Sequence, residues 1–158
     1  MQWRRVWQHL FFCTCFLYGG RVYAADYTQL LEAALRTVHD EFLAPVSYDI
    51  YSSWAVQGLN QYDKNLQIVD DESRITLYYN SQVFRSYLKP QGKKSENPKA
   101  WARFMLKVLD AAKEISPAVK QKDFEAPDKM LQFATQNLDP YSKYISSRTR
   151  KKTRFASG

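Results

Sequence analysis

The spacing of apolar residues changes twice along this chain, from threes and fours to twos and back, which limits the fold to helices flanking a small sheet. Leu30, Leu31, Ala34, Leu35, Val38 and Phe42 recur at helical spacing behind a capping Asp26, and the pattern stops at Ala44-Pro45. A second helix, capped by Ser47, carries Ile50, Tyr51, Trp54, Ala55 and Leu59 along one side and ends between Asn60 and Asp63. The short link from Pro45 to Ser47 predicts a helical hairpin.

Leu66 to Val69 and Arg74 to Tyr79 are β-branched and aromatic, with the polar Asp70-Asp71-Glu72-Ser73 between them, and predict a two-stranded antiparallel ribbon. Val83 to Leu88 either extends it or forms a short turn of helix, and Gln91 to Glu96 reads as an exposed loop. Asn97-Pro98 is a strong helix start, because Asn accepts orphan amide bonds and Pro at the first helical position loses none. This third helix runs to Ser116-Pro117 with Trp101, Phe104, Met105, Val108, Leu109 and Ala112 on its apolar face. A fourth, capped by Asp123 with Pro127 in its first turn, carries Met130, Leu131, Phe133 and Ala134 and closes between Asn137 and Pro140. The expected fold class is mainly α, a bundle of about four helices in hairpins with a small two-stranded ribbon. Helices two and four align without a gap when Tyr48 is set on Phe124 and Gly58 on Ala134, which suggests a duplicated hairpin.

Arg4 and Arg5, the apolar and aromatic run from Val6 to Tyr18, and Val22-Tyr23-Ala24 read as a signal peptide over residues 1–24. A stable membrane span is not expected, because Gln8 and His9 lie in the run and Gly19-Gly20-Arg21 interrupts it short of about 20 apolar residues. The expected location is therefore periplasmic or extracellular. Both cysteines, Cys13 and Cys15, fall within the signal, so the mature chain has no thiol and no disulfide. The formal charge of +7 is carried at the ends: residues 25–142 hold 14 Lys and Arg against 16 Asp and Glu, a net of −2. Three of the 23 basic residues lie in the signal and six lie between Lys143 and Arg154. The division expected is a signal peptide at 1–24, a helical domain at 25–145 with its ribbon near 66–79, and a basic flexible tail at 146–158.

No catalytic, cofactor or metal site is expected from the residues present. The one mature histidine, His39, sits at the margin of the first helix's apolar stripe with no nucleophile motif to serve. Asp70-Asp71-Glu72 lacks the ligand spacing and glycine of a calcium loop and reads as a solvated turn. The basic stretch from Arg148 to Arg154 has only Phe155 beside it as a stacking ring, so a polar connecting segment is preferred to a nucleic-acid contact. Trp54 and Trp101 read as core, and any exposed helix face as a surface for a protein or peptide partner.

The most specific motif is Leu138-Asp139-Pro140-Tyr141-Ser142-Lys143-Tyr144-Ile145. It resembles the Leu-Asp-Pro-(His/Tyr)-Ser-x-Tyr signature of the carboxyl-terminal processing serine peptidases, or tail-specific proteases, with Leu138, Asp139, Pro140, Tyr141, Ser142 and Tyr144 as matching positions. Asp139 before Pro140 ends the helix, and Ser142 can bond nearby backbone. In that family the signature closes an exported amino-terminal helical region, after which the chain enters a PDZ domain and a Ser-Lys catalytic core. The resemblance implies a truncated, non-catalytic amino-terminal region, inactive alone, whose partner is the remaining peptidase domains or a second copy. The alternative is a stand-alone exported helical protein-binding module.

Overall fold

The structure, a computed structural model, describes residues 27–42 and 46–138. The described residues are mostly helical, with five α-helices and one three-stranded antiparallel sheet. The signal peptide, the basic tail and all of the octapeptide beyond Leu138 lie outside them. Among the described residues no helix is long and apolar enough to cross a membrane.

Helix α1 covers residues 27–41 and buries Leu31 and Leu35. Helix α2 (Tyr48–Gln57) starts at Ser47, whose Oγ accepts the Ile50 amide at 3.2 Å, as its sequence predicts. It packs on two other helices at once, so Tyr51, Ser52, Ser53, Ala55 and Val56 are all buried and the helix shows no clean polar side. A 3-10 turn, Gly58–Gln61, carries the chain to the sheet.

Strands β1 (Leu66–Asp71), β2 (Arg74–Tyr79) and β3 (Gln82–Leu88) lie side by side in chain order. The expected two-stranded ribbon is thus corrected to three strands. Asn80 and Ser81 have φ of 51° and 64°, the paired left-handed geometry whose twist suits a two-residue hairpin. Asn-Ser supplies it here without the glycine that usually betrays such a turn. The first turn is also tighter than expected, because Asp70 and Asp71 pair with Ile75 and Arg74 and leave only Glu72-Ser73 between strands. Leu66, Ile68, Ile75 and Leu77 form the buried face of the sheet, against α2 and helix α3 (Pro98–Ile115).

Asn97 caps α3 as expected, its side chain accepting the Lys99 amide at 3.0 Å with Pro98 following. Trp101, Met105, Val108, Leu109 and Ala112 are buried, so both the helix and its face agree with the apolar spacing. The expected fourth helix is α5 (Ala126–Gln136), and a short helix that the apolar spacing does not predict, α4 (Pro117–Gln121), precedes it. Ser116 caps α4 through the Val119 amide. Asp123 caps nothing: its carboxylate is held by Lys113 Nζ at 2.6 Å, and α5 begins without a side-chain cap.

Candidate anion-binding groove

Between the end of β3 and one face of α3 lies an open groove of about 840 Å³. Lys99, Arg103 and Lys107 recur every fourth residue of α3 and so stand in a row along one wall. The opposite wall is Tyr87, Leu88 and the Lys89-Pro90-Gln91 turn. Lys93 and Lys94 come from a 3-10 turn, Gly92–Lys94, which Gly92 enters at φ 56°. The turn is braced by Ser95, whose amide and hydroxyl both donate to the Gly92 carbonyl at 2.9 and 2.7 Å. It is tied to α3 by Trp101 Nε1, which donates to the Ser95 carbonyl at 2.8 Å.

Lys93, Lys94, Lys99, Arg103 and Lys107 are exposed, and among the described residues none forms an ion pair with a carboxylate. Carboxylates are plentiful elsewhere, which makes the segregation informative. From Arg85 to Lys107 the chain holds seven Lys and Arg against Glu96 alone, while the rest of residues 25–142 holds seven against fifteen. Gathered like charges raise the local potential and attract anions.

One lysine of this stretch is different. Lys89 is buried and held between Asp49 Oδ1 of α2 at 2.8 Å and Asp70 Oδ1 of β1 at 2.5 Å. Burial pulls its pKa down, but the hydrogen bonds to Asp49 and Asp70 and their negative charge outweigh that, so the net shift is upward. Lys89 is therefore an anchor that fixes the turn leading into the groove, and its charge is spent internally.

The sequence reading placed the basic excess at the chain ends and missed this groove. Its signal was the spacing of Lys99, Arg103 and Lys107 together with Lys93-Lys94. Of the family-motif residues only Leu138 is described; it is half-buried against the core, and its amide donates to the Thr135 carbonyl at 3.1 Å. Asp139, Pro140, Tyr141, Ser142 and Tyr144 lie outside the described residues. His39 is exposed, with Nδ1 3.4 Å from the Val46 carbonyl and its ring 4.6 Å from that of Tyr48. Among the described residues no three His, Cys, Asp or Glu gather as a metal site. Compared with family models, with curated proteins and with solved structures, the chain gives no match in any of the three.

Proposed function

We propose that this chain is a non-catalytic, exported binding region whose basic groove takes an acidic segment of a protein partner. The observation that carries the reading is the cluster of five exposed cations, a loop pair and a helix row, that among the described residues have no carboxylate partners, on an otherwise acidic body. A protein is favoured over nucleic acid because base stacking needs open rings. Of the two rings lining the groove, Phe104 is buried and Tyr87 is half-buried with its hydroxyl accepting from Arg85. The packing of α2 on both α3 and α5 supports a bundle of helical hairpins as the scaffold.

The test is binding of a fluorescent glutamate-rich peptide. The wild-type chain should bind it and lose affinity steeply as salt rises toward about 0.5 M. A Lys99→Glu, Arg103→Glu, Lys107→Glu variant should not bind while remaining folded by circular dichroism. Absence of binding by the folded wild-type chain would defeat the reading.

The octapeptide from Leu138 to Ile145 favours a more particular version, in which the chain serves as the amino-terminal region of a carboxyl-terminal processing serine peptidase. The purified chain should then leave an unfolded protein substrate intact and support its cleavage when mixed with a separately expressed PDZ and catalytic fragment. Cleavage by the chain alone would overturn the non-catalytic reading, and no gain on mixing would favour the stand-alone module.

A further inference from the structure

We propose that an extended acidic peptide adds to β3 as a fourth strand, with its carboxylates facing the cations of α3; the proposal rests on the acidic-partner reading above and gives it a binding mode. The sheet has two edges, and they are treated differently. On the β1 side Asn60 Oδ1 accepts the Ile68 amide at 2.8 Å, so a side chain stands in for a missing strand. Among the described residues β3 has no such cover.

The outward groups of β3 follow from its register. Lys89 donates its amide to the Ser73 carbonyl at 3.0 Å, and Tyr87 and Arg85 lie opposite Ile75 and Leu77. Alternation along an antiparallel ladder then turns the amides and carbonyls of Ser86 and Leu88 away from β2. The strand is exposed except at Tyr87, and Val83 and Leu88 show 63% and 66% of their surface. An uncovered edge bearing apolar side chains is a template for strand addition.

Helix α3 runs beside this edge. Arg85 Nη2 lies 3.1 Å from Glu114 Oε2 near the end of the helix, while Tyr87 and Leu88 share the groove with Arg103 and Lys107. Lys99, Arg103 and Lys107 step along α3 by about 6 Å each. Same-face residues of an added strand step by about 6.7 Å. A peptide with an acidic residue at every second position therefore meets the cations nearly in register, and its backbone completes the β3 ladder. Nucleic acid could satisfy the cations but not the strand edge.

The probe is a blocked peptide alternating glutamate and valine, compared with two versions N-methylated at every glutamate or at every valine. In an added strand only alternate amides face β3. One methylated peptide should lose about tenfold or more in affinity, from two or more hydrogen bonds removed, while the other stays within about threefold of the parent. Amide exchange at Ser86 and Leu88 should slow in the complex. Equal affinity, or equal loss, for the two methylated peptides would overturn strand addition while leaving the basic groove as the binding site. Failure of the parent peptide to bind would remove both readings. Tighter binding of a single-stranded oligonucleotide of equal charge would overturn the proposal in favour of nucleic acid. A chain dimer abolished by Ser86→Pro would assign the edge to a second copy instead.

Discussion

Gly58 lies so close to Phe133 that a Cβ at position 58 would stand 2.8 Å from the Cβ of Phe133. The contact is made where the 3-10 turn after α2 meets α5, and its cause is space rather than backbone shape, since Gly58 has an ordinary helical φ of −56°. Alanine would gain up to about 1 kcal/mol from its lower unfolded-state entropy. Forcing a methyl against a neighbour's Cβ, which cannot swing away, costs about 1–3 kcal/mol. Gly58→Ala should therefore lower stability by about 1–2 kcal/mol, read from the urea midpoint. A variant as stable as the parent would show that the two elements can part at no cost.

Tyr62 offers a change in the opposite direction. Its hydroxyl is buried and, among the described residues, has no hydrogen-bond partner. Burial first, then the negative charges of Glu125 and Asp128, push its pKa from 10.0 to about 12. The folded state thus holds the phenolic proton more tightly than the unfolded chain does. The associated stability is complete below about pH 10 and is lost as pH rises toward 12. Tyr62→Phe removes both the unpaired hydroxyl and this titration. It should leave stability at neutral pH unchanged or raised by up to about 1 kcal/mol, with a shallower fall in alkali. A loss above that size would reveal a partner for the hydroxyl.

Much of the framework was legible because local chemistry and tertiary structure agree. Ser47 and Asn97 cap where their side chains suggest, and the apolar spacing of Trp101, Met105, Val108 and Ala112 marks the buried face of α3. The failures share a physical cause: a distant partner decided the outcome. Asp123 looks like a cap until Lys113 claims its carboxylate. β3 has little buried surface of its own and depends on the Asn80-Ser81 turn to return it to β2. The groove joins a loop pair, Lys93 and Lys94, to a helix row, Lys99, Arg103 and Lys107, which only folding brings together. Summing charge over residues 25–142 hid it, because fifteen acids elsewhere cancel the local excess.

Ser116 joins two turns that are remote in sequence. Its buried hydroxyl donates to Asp63 Oδ2 at 2.6 Å and accepts the Val119 amide at 3.3 Å, while Asp63 Oδ1 accepts the Asn65 amide at 2.9 Å. The bond from Ser116, then that from Asn65, hold the Asp63 carboxyl below its usual pKa of 3.8. Because the folded value is the lower one, this stability is present above about pH 4 and is lost as acid protonates Asp63. Ser116→Ala should destabilise the chain by about 1–2 kcal/mol at neutral pH. The loss should shrink below pH 4, because Asp63 is then protonated in the parent too. A loss independent of pH would assign the whole effect to the α4 cap.

Lys89 connects stability to the groove. Its ammonium ties Asp49 in the first turn of α2 to Asp70 near the end of β1, and it sits where β3 hands the chain to Pro90 and the turn bearing Lys93 and Lys94. Replacing it with methionine keeps the buried stem and removes the charge, leaving two carboxylates facing each other without a cation. Both carboxylates are partly exposed, so the loss should be smaller than for a fully buried pair, about 1–3 kcal/mol. In the parent, the folded pKa of Lys89 lies above the usual 10.5, so the stabilisation persists through neutral pH and disappears only as pH rises beyond that value. Lys89→Met should therefore be less stable than the parent at pH 7 and approach it in strong alkali. Freed from its anchor, the turn should also present Lys93 and Lys94 less regularly. The glutamate-rich peptide should then bind more weakly to Lys89→Met at temperatures where the variant is still fully folded, although Lys89 itself donates no free charge to the groove. Unchanged affinity with lowered stability would confine Lys89 to holding α2 against the sheet, and unchanged stability would show that the two carboxylates separate into water without penalty.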